Sequence, residues 1–360
     1  MAITARTTPD PYSDVTCTPA QVIAECQRLV EPQLRAALAI LPAPILEIVN
    51  YHFGWLDPPT SPHSADRTPE GAMGRGKAIR PALVLACALA VGGDTTAALP
   101  AAVSVELVHN FSLLHDDVMD ADLTRRHRPT AWSVFGSSAA ILAGDALLML
   151  AFDVLAATDH QRGGQAIRWL AATVADLIAG QHADISFEQR DDVRLDECLA
   201  MARGKTAALL SCSCALGALF GGAEQQSIER LRRFGQDLGL AFQHIDDLLG
   251  IWADPRLTGK PVYSDLRNAK KSLPVVAALT AEGAAALELA SRYRSGPITS
   301  EAELARTAAL IEQAGGRAYS QTQADQLLTS ALAHLHDARP TANGGRWLRA
   351  LAQLATHRDH

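Results

Sequence analysis

From Pro19 almost to the end of the chain, apolar residues recur at helical spacing, and no run alternates with the period of two expected of a strand. That pattern restricts the chain to helices packed on helices. The first stretch, 19–49, puts Val22, Ile23, Cys26, Leu29, Val30, Leu34, Leu38 and Leu41 on one stripe. Further helices are expected near 78–92, 96–119, 130–157, 162–187, 196–220, 226–252, 272–281, 283–291, 300–313, 316–336 and 343–356. Glycine pairs such as Gly92-Gly93, Gly221-Gly222 and Gly315-Gly316 mark turns between them. Four prolines and three glycines make 57–76 a long loop. Residues 1–18, rich in Thr, Pro and Asp, read as a flexible arm, and 19–360 as a single all-α domain.

Charge narrows the function. The net charge of −7 argues against a nucleic-acid binder, which presents a net basic face. The six cysteines have no metal-knuckle or redox spacing and read as buried free thiols. No basic segment followed by an apolar core opens the chain, and Asp145 and Asp153 interrupt the apolar run 139–156. Neither a signal peptide nor a membrane span is therefore expected, and the location expected is cytoplasmic. Of 32 basic residues only five are lysines: Lys77, Lys205, Lys260, Lys270 and Lys271. All lie in the middle of the chain, whereas lysines used only for solubility would be scattered.

Two acidic segments interrupt the apolar pattern. In the first, Asp116 and Asp120 are four residues apart, so both project from one helix face, and Asp117 adds a third acid. Such a cluster near a helix C-terminus opposes the helix dipole and costs stability unless a cation neutralises it. Hard divalent cations suit it, and Mg²⁺ bridges protein carboxylates to substrate phosphates. The second segment places Asp246 and Asp247 after an apolar stretch, with Gly250 where a third acid would repeat the pattern. His115 and His244 lie beside these acids and are expected to pack or hydrogen-bond rather than bind Mg²⁺.

Cations supply the other half. Lys77 and Arg80 lead from a loop into a helix, Arg125 and Arg126 follow the first acidic cluster, and Lys205-Thr206 opens a helical run. Lys260, Lys270 and Lys271 flank the loop after the second acidic pair. Acids for metals plus separated Lys and Arg groups point to two diphosphates, one metal-bound and one held by cations directly.

With these motifs the chain resembles the trans-type prenyl diphosphate synthases, especially geranylgeranyl diphosphate synthases. The resemblance runs from about Met73 to Tyr319 through GRGKAIRP, VELVHNFSLLHDDVMDADLTRRHRPT, ILAGDALL, GQHAD, GKTAALL, LGLAFQHIDDLL and TGKPVYSDLRNAKKSLPV. It implies an isoprenoid synthase-type helical bundle around a central cavity, a homodimer, and three Mg²⁺ ions per active site. The partners implied are isopentenyl diphosphate and an allylic diphosphate. It assigns Asp116, Asp117, Asp120, Asp246 and Asp247 to the metals. Arg125, Lys205 and Lys260 would hold the allylic diphosphate, with Thr206, Gln243 and Lys270 nearby. Lys77, Arg80, His109 and Arg126 would hold isopentenyl diphosphate. Gly250 departs from the third aspartate of many members, and Ala78 from a common basic residue.

In the reaction implied, the allylic C–O bond ionises, isopentenyl diphosphate attacks the cation head-to-tail in an apolar pocket closed to water, and a proton is then lost to the departing diphosphate. Phe111 lies five residues before Asp116, roughly 7.5 Å down the helix. Its ring would end the pocket at a C20 product. Two alternatives stay open: a class I terpene cyclase on the same fold, and a non-catalytic partner subunit. The second cation set argues against the cyclase, and the intact first motif against the inert subunit.

Overall fold

Thr18 starts the first helix with a capping box: its hydroxyl accepts from Gln21 N, and the Gln21 side chain accepts from the Thr18 N–H. The computed structural model describes residues 18–57, 78–126, 128–253, 262–296 and 298–356. Lys77, Lys260 and the arm 1–17 lie outside them. Helices α1 (Pro19–Leu38), α2 (Ala43–His52), α3 (Ile79–Ala90) and α4 (Leu99–Met119) are followed by a short hairpin. Next come α5 (Ala131–Phe135), α6 (Ser137–Ala156), α7 (Gly163–Glu188), α8 (Leu195–Ala202), a π-helical turn (Arg203–Ala207), α9 (Ala208–Phe220) and α10 (Gln225–Trp252). Six further helices complete the chain: α11 (Ser264–Arg267), α12 (Leu273–Leu279), α13 (Ala284–Arg294), α14 (Glu301–Gln313), α15 (Gly316–Asp337) and α16 (Ala342–Thr356).

Two helices are apolar all round and form the centre, as such helices must. Ala82 to Ala88 of α3 are fully buried, and every residue of α9 from Leu209 to Phe220 is buried. Around them α10 packs along α9 and α15, α4 along α6, and α16 along α3. A smaller apolar cluster joins Phe187 at the end of α7 to Cys198 and Met201 of α8 and to Leu273 and Val276 of α12. The all-α fold read from the sequence is the fold observed.

Several expected helices are broken. The stretch 19–49 divides because Pro42 caps α2 and Pro44 lies in its first turn, positions that end a preceding helix. The stretch 130–157 divides at Gly136, whose φ is +87°. The stretch 196–220 contains the π-turn. The hairpin pairs Thr124 with Pro129 and Arg125 with Arg128, too short to leave a period-two signature. Five cysteines, Cys26, Cys87, Cys198, Cys212 and Cys214, are buried free thiols, as expected.

By length and composition α6 is apolar enough to cross a membrane, with a mean hydropathy of 2.0. It is two-faced, however. Ala140, Ala143, Leu147, Leu150 and Leu155 enter the core, while Ile141, Leu142 and Met149 are exposed beside the exposed Asp145 and Asp153.

Candidate active site

The first acidic cluster ends α4, and its three acids differ in surroundings. Asp117 is buried; its Oδ1 accepts from Arg125 Nε at 2.6 Å, while its Oδ2 is buried with no hydrogen-bond partner. Asp116 is half-buried, and Asp120 is exposed at the helix end. Burial pushes the Asp116 and Asp117 carboxyls up to about 6, against the pull of Lys205 on the first and Arg125 on the second. The hairpin presents Arg125 to Asp117 and sets Arg126 at its tip with φ +51°. Tyr51 on α2 ties the hairpin down by donating to Pro129 O at 2.7 Å.

Asp184 on α7 is the hub of the cations. Lys205 Nζ lies 2.5 Å and Lys270 Nζ 3.9 Å from Asp184 Oδ2. Burial would raise this carboxyl, but Lys270 and Lys205 together hold it below the ordinary range. Lys205 sits in the π-turn, a form common at functional sites. The turn reaches α7 because glycines face each other: a Cβ on Gly180 would lie 2.4 Å from Lys205 N, and one on Gly204 2.5 Å from Asp176 O. That contact explains GQHAD and GKT as one structural unit. Lys205 and Lys270 both converge on this one acid of the GQHAD motif.

On α10 the second acidic pair divides its labour. Thr206 Oγ1 donates to Gln243 Oε1 at 2.5 Å, and Gln243 Nε2 donates to Asp247 Oδ1 at 2.6 Å. Leu273 N donates to Asp247 Oδ2 at 2.8 Å, so both Asp247 oxygens are engaged. Asp246 is exposed. At Gly250 a Cβ would lie 2.3 Å from Asp265 Oδ2, so the Asp265 carboxylate fills the space a side chain at 250 would take. No signal within the second motif itself indicates this. His244 is fully buried against Tyr319, a packing role, and His115 Nε2 donates to Ile141 O at 3.0 Å. Among the described residues no three His, Cys, Asp or Glu form a ready-made metal cage. Mg²⁺ rarely uses one, because it keeps waters and takes substrate phosphates as ligands.

These raised carboxyls give a pH prediction. Burial pushes Asp247 up to about 7, and Asp116 and Asp117 to about 6, all above the usual 3.8. The folded state then binds more protons than the unfolded one between those values. The stability these groups contribute is full below the unfolded value and is lost as pH rises through 6 to 7. In chelator, the Tm should rise between pH 7.5 and 5.5, and less so in Asp247→Asn. Equal slopes in the two proteins would refute the assignment.

A second cation set gathers around His109, two turns before Asp116 on α4. Arg80 Nη1 donates to His109 Nε2 at 3.2 Å. Burial, with Arg80, Arg126 and Arg125 nearby, holds the His109 imidazole well below its ordinary value, so it is neutral. Asn110 binds His52 Nε2 at 3.2 Å and donates to Glu106 Oε1 at 3.0 Å, joining α2 to this set. Arg80, His109 and Arg126 are thus brought together, as are Lys205, Thr206, Gln243 and Lys270.

Residues 69–311 match the family model described as polyprenyl synthetase. The (2E,6E)-farnesyl diphosphate synthase of Mycobacterium tuberculosis H37Rv is 47% identical over 328 residues, covering 90% of this chain and 89% of that protein. The geranylgeranyl diphosphate synthase of the same strain is 46% identical over 329 residues, 91% of each chain. The crystal structure of a polyprenyl synthetase from Streptomyces coelicolor A3(2) superposes with a TM-score of 0.84 at 44% identity, covering 93% of this chain and 99% of that one.

Proposed function

The chain belongs to the polyprenyl synthetase family and is a prenyl diphosphate synthase, and on that premise we propose that it extends allylic primers with isopentenyl diphosphate as far as C20 geranylgeranyl diphosphate. The observation that carries the two-diphosphate reading is a pair of separate cation sets near the first acidic cluster. Lys205 and Lys270 converge at Asp184, and Arg80, His109 and Arg126 gather on α3, α4 and the hairpin. The first set holds the allylic diphosphate and the second isopentenyl diphosphate; Lys260 and Lys77 are assigned to these sites by resemblance alone. A ring-closing enzyme would have no use for the second set.

The family depends on Mg²⁺, and the residues fit it. Asp117 Oδ2 is an orphaned buried acceptor, and Asp265 fills the place left by Gly250. Asp116, Asp117 through its open Oδ2, Asp120 and Asp246 would hold the metal, with Asp265 as the third acid of the second cluster. Asp117 Oδ1 orients Arg125, and Asp247 orients Gln243. When bound, Mg²⁺ neutralises charge growing on the leaving diphosphate. Three ions per site is the number proposed, and Mn²⁺ titration counts them.

Phe111 is proposed as the pocket floor. It is buried on α4, and the His115 ring meets it edge-on with centroids 4.8 Å apart. A floor braced in this way resists the pressure of a growing chain. Exposed Ile141, Leu142 and Met149 of α6, with Ile178 and Ile185 of α7, form an apolar surface suited to a second copy. We read the protein as a homodimer, which light scattering of the full chain reports.

The test is incubation with Mg²⁺, isopentenyl diphosphate and C5, C10 or C15 primers. A C20 product is expected. Cyclic hydrocarbon formed without isopentenyl diphosphate would sink the synthase reading; C15 as the end product would sink the chain length alone. Phe111→Ala should carry products beyond C20, and an unchanged product distribution removes Phe111 from the floor.

A further inference from the structure

We propose that Lys271 is a positioning residue that sets the allylic diphosphate cations and Asp247 in register by gripping the end of α7. The side chain is only 8% exposed, and burial lowers its basicity against the pull of Asp191 and Glu188. Its Nζ donates to Phe187 O at 2.7 Å and to Glu188 O at 3.4 Å. These are among the last carbonyls of α7, beyond its regular ladder; Phe187 O also accepts from Arg190 N at 3.3 Å. A lysine there closes the helix and complements its dipole.

Asp184 stands one turn before Glu188. Successive lysines therefore hold the same helix turn in two ways. Lys270 faces the Asp184 carboxylate, and Lys271 holds the terminal carbonyls. The main chain between them is fixed from other sides. Cys198 Sγ of α8 donates to Lys271 O at 3.5 Å, and Lys270 N donates to Asp265 O at 2.8 Å. Two residues on, Leu273 N donates to Asp247. The segment 270–273 is thus a staple joining α7, α8 and α10, and Lys271 is its buried anchor. If it slips, Lys270 moves off Asp184 and the Leu273 N–H off Asp247 together.

The inference rests on the reading of Lys270 and Asp184 as part of the allylic site, so Lys270→Met is measured beside Lys271→Met. Replacing a residue that orients a binding group costs about 10–100-fold. Lys271→Met should raise the allylic KM about tenfold and weaken Mn²⁺ binding to the free protein, leaving the KM for isopentenyl diphosphate within about twofold. Lys271→Arg, which keeps the donors, should restore most of the loss. The double variant should bind the allylic substrate no worse than Lys270→Met alone, because residues acting through one another are not additive. A lower Tm with unchanged allylic KM and Mn²⁺ binding in Lys271→Met, while Lys270→Met is impaired, overturns the positioning role. Unchanged allylic KM in both variants overturns the site reading and this inference with it.

Discussion

Asp116→Asn will lower kcat by about 10³-fold or more while leaving the metal-free fold as stable as before or more so. The magnitude follows from what removing one preorganised stabilising group at a charge-developing centre costs. The direction of the stability change follows from the site. Burial pushes this carboxyl up to about 6, and the Asp120 and Asp117 charges push the same way against Lys205. At neutral pH the ionised group is therefore strained, and an amide of the same shape relieves the strain. Sites built for catalysis give up stability in this way. Single-turnover rates and melting in chelator check both halves. Turnover within about tenfold of the parent would remove Asp116 from the metal shell, and a sharply lower Tm would mean that the carboxylate is a structural acceptor instead.

The helices were legible because Ala and Leu repeat at helical spacing and an all-apolar helix such as α9 has nowhere to lie but the centre. The breaks were less so. Gly136 and the π-turn look like ordinary helix in one dimension, and the π-turn lies where Gly180 and Gly204 let two helices touch. Asp116, Asp117, Asp120 and Asp246 stood out because acids on an apolar stretch violate its pattern. What could not be read was their division of labour. Asp117 gives one oxygen to Arg125 of the hairpin, and Asp247 gives its two to Gln243 of its own helix and to Leu273 N of a later one. The absent acid at Gly250 read as a loss within its own motif. In three dimensions Asp265 fills it from the next helix. Lys271, the lysine without an assignment in the sequence, is buried and holds a helix end.

Lys205→Met should cost about 10³-fold in kcat/KM for the allylic substrate, with the KM for isopentenyl diphosphate unchanged. Lys205 Nζ is the nearer of the two ammonium groups on Asp184, and Asp116 and Asp120 also lie within its field. Without it, on the proposed reading, one cation fewer would face the leaving diphosphate. Asp184 also keeps only Lys270 against the burial that raises its carboxyl, so the variant should melt lower at neutral pH. Lys205→Arg should recover little. The backbone at Lys205 is pressed against Gly180, and a planar fork needs more room than a compact ammonium. Adding Asp184→Asn to Lys205→Met separates the two losses. The amide removes a buried acid short of a partner and should restore the Tm, but it cannot return the cation, so turnover should stay low. Recovery of both together would mean that Lys205 serves only to neutralise Asp184 and does not touch substrate.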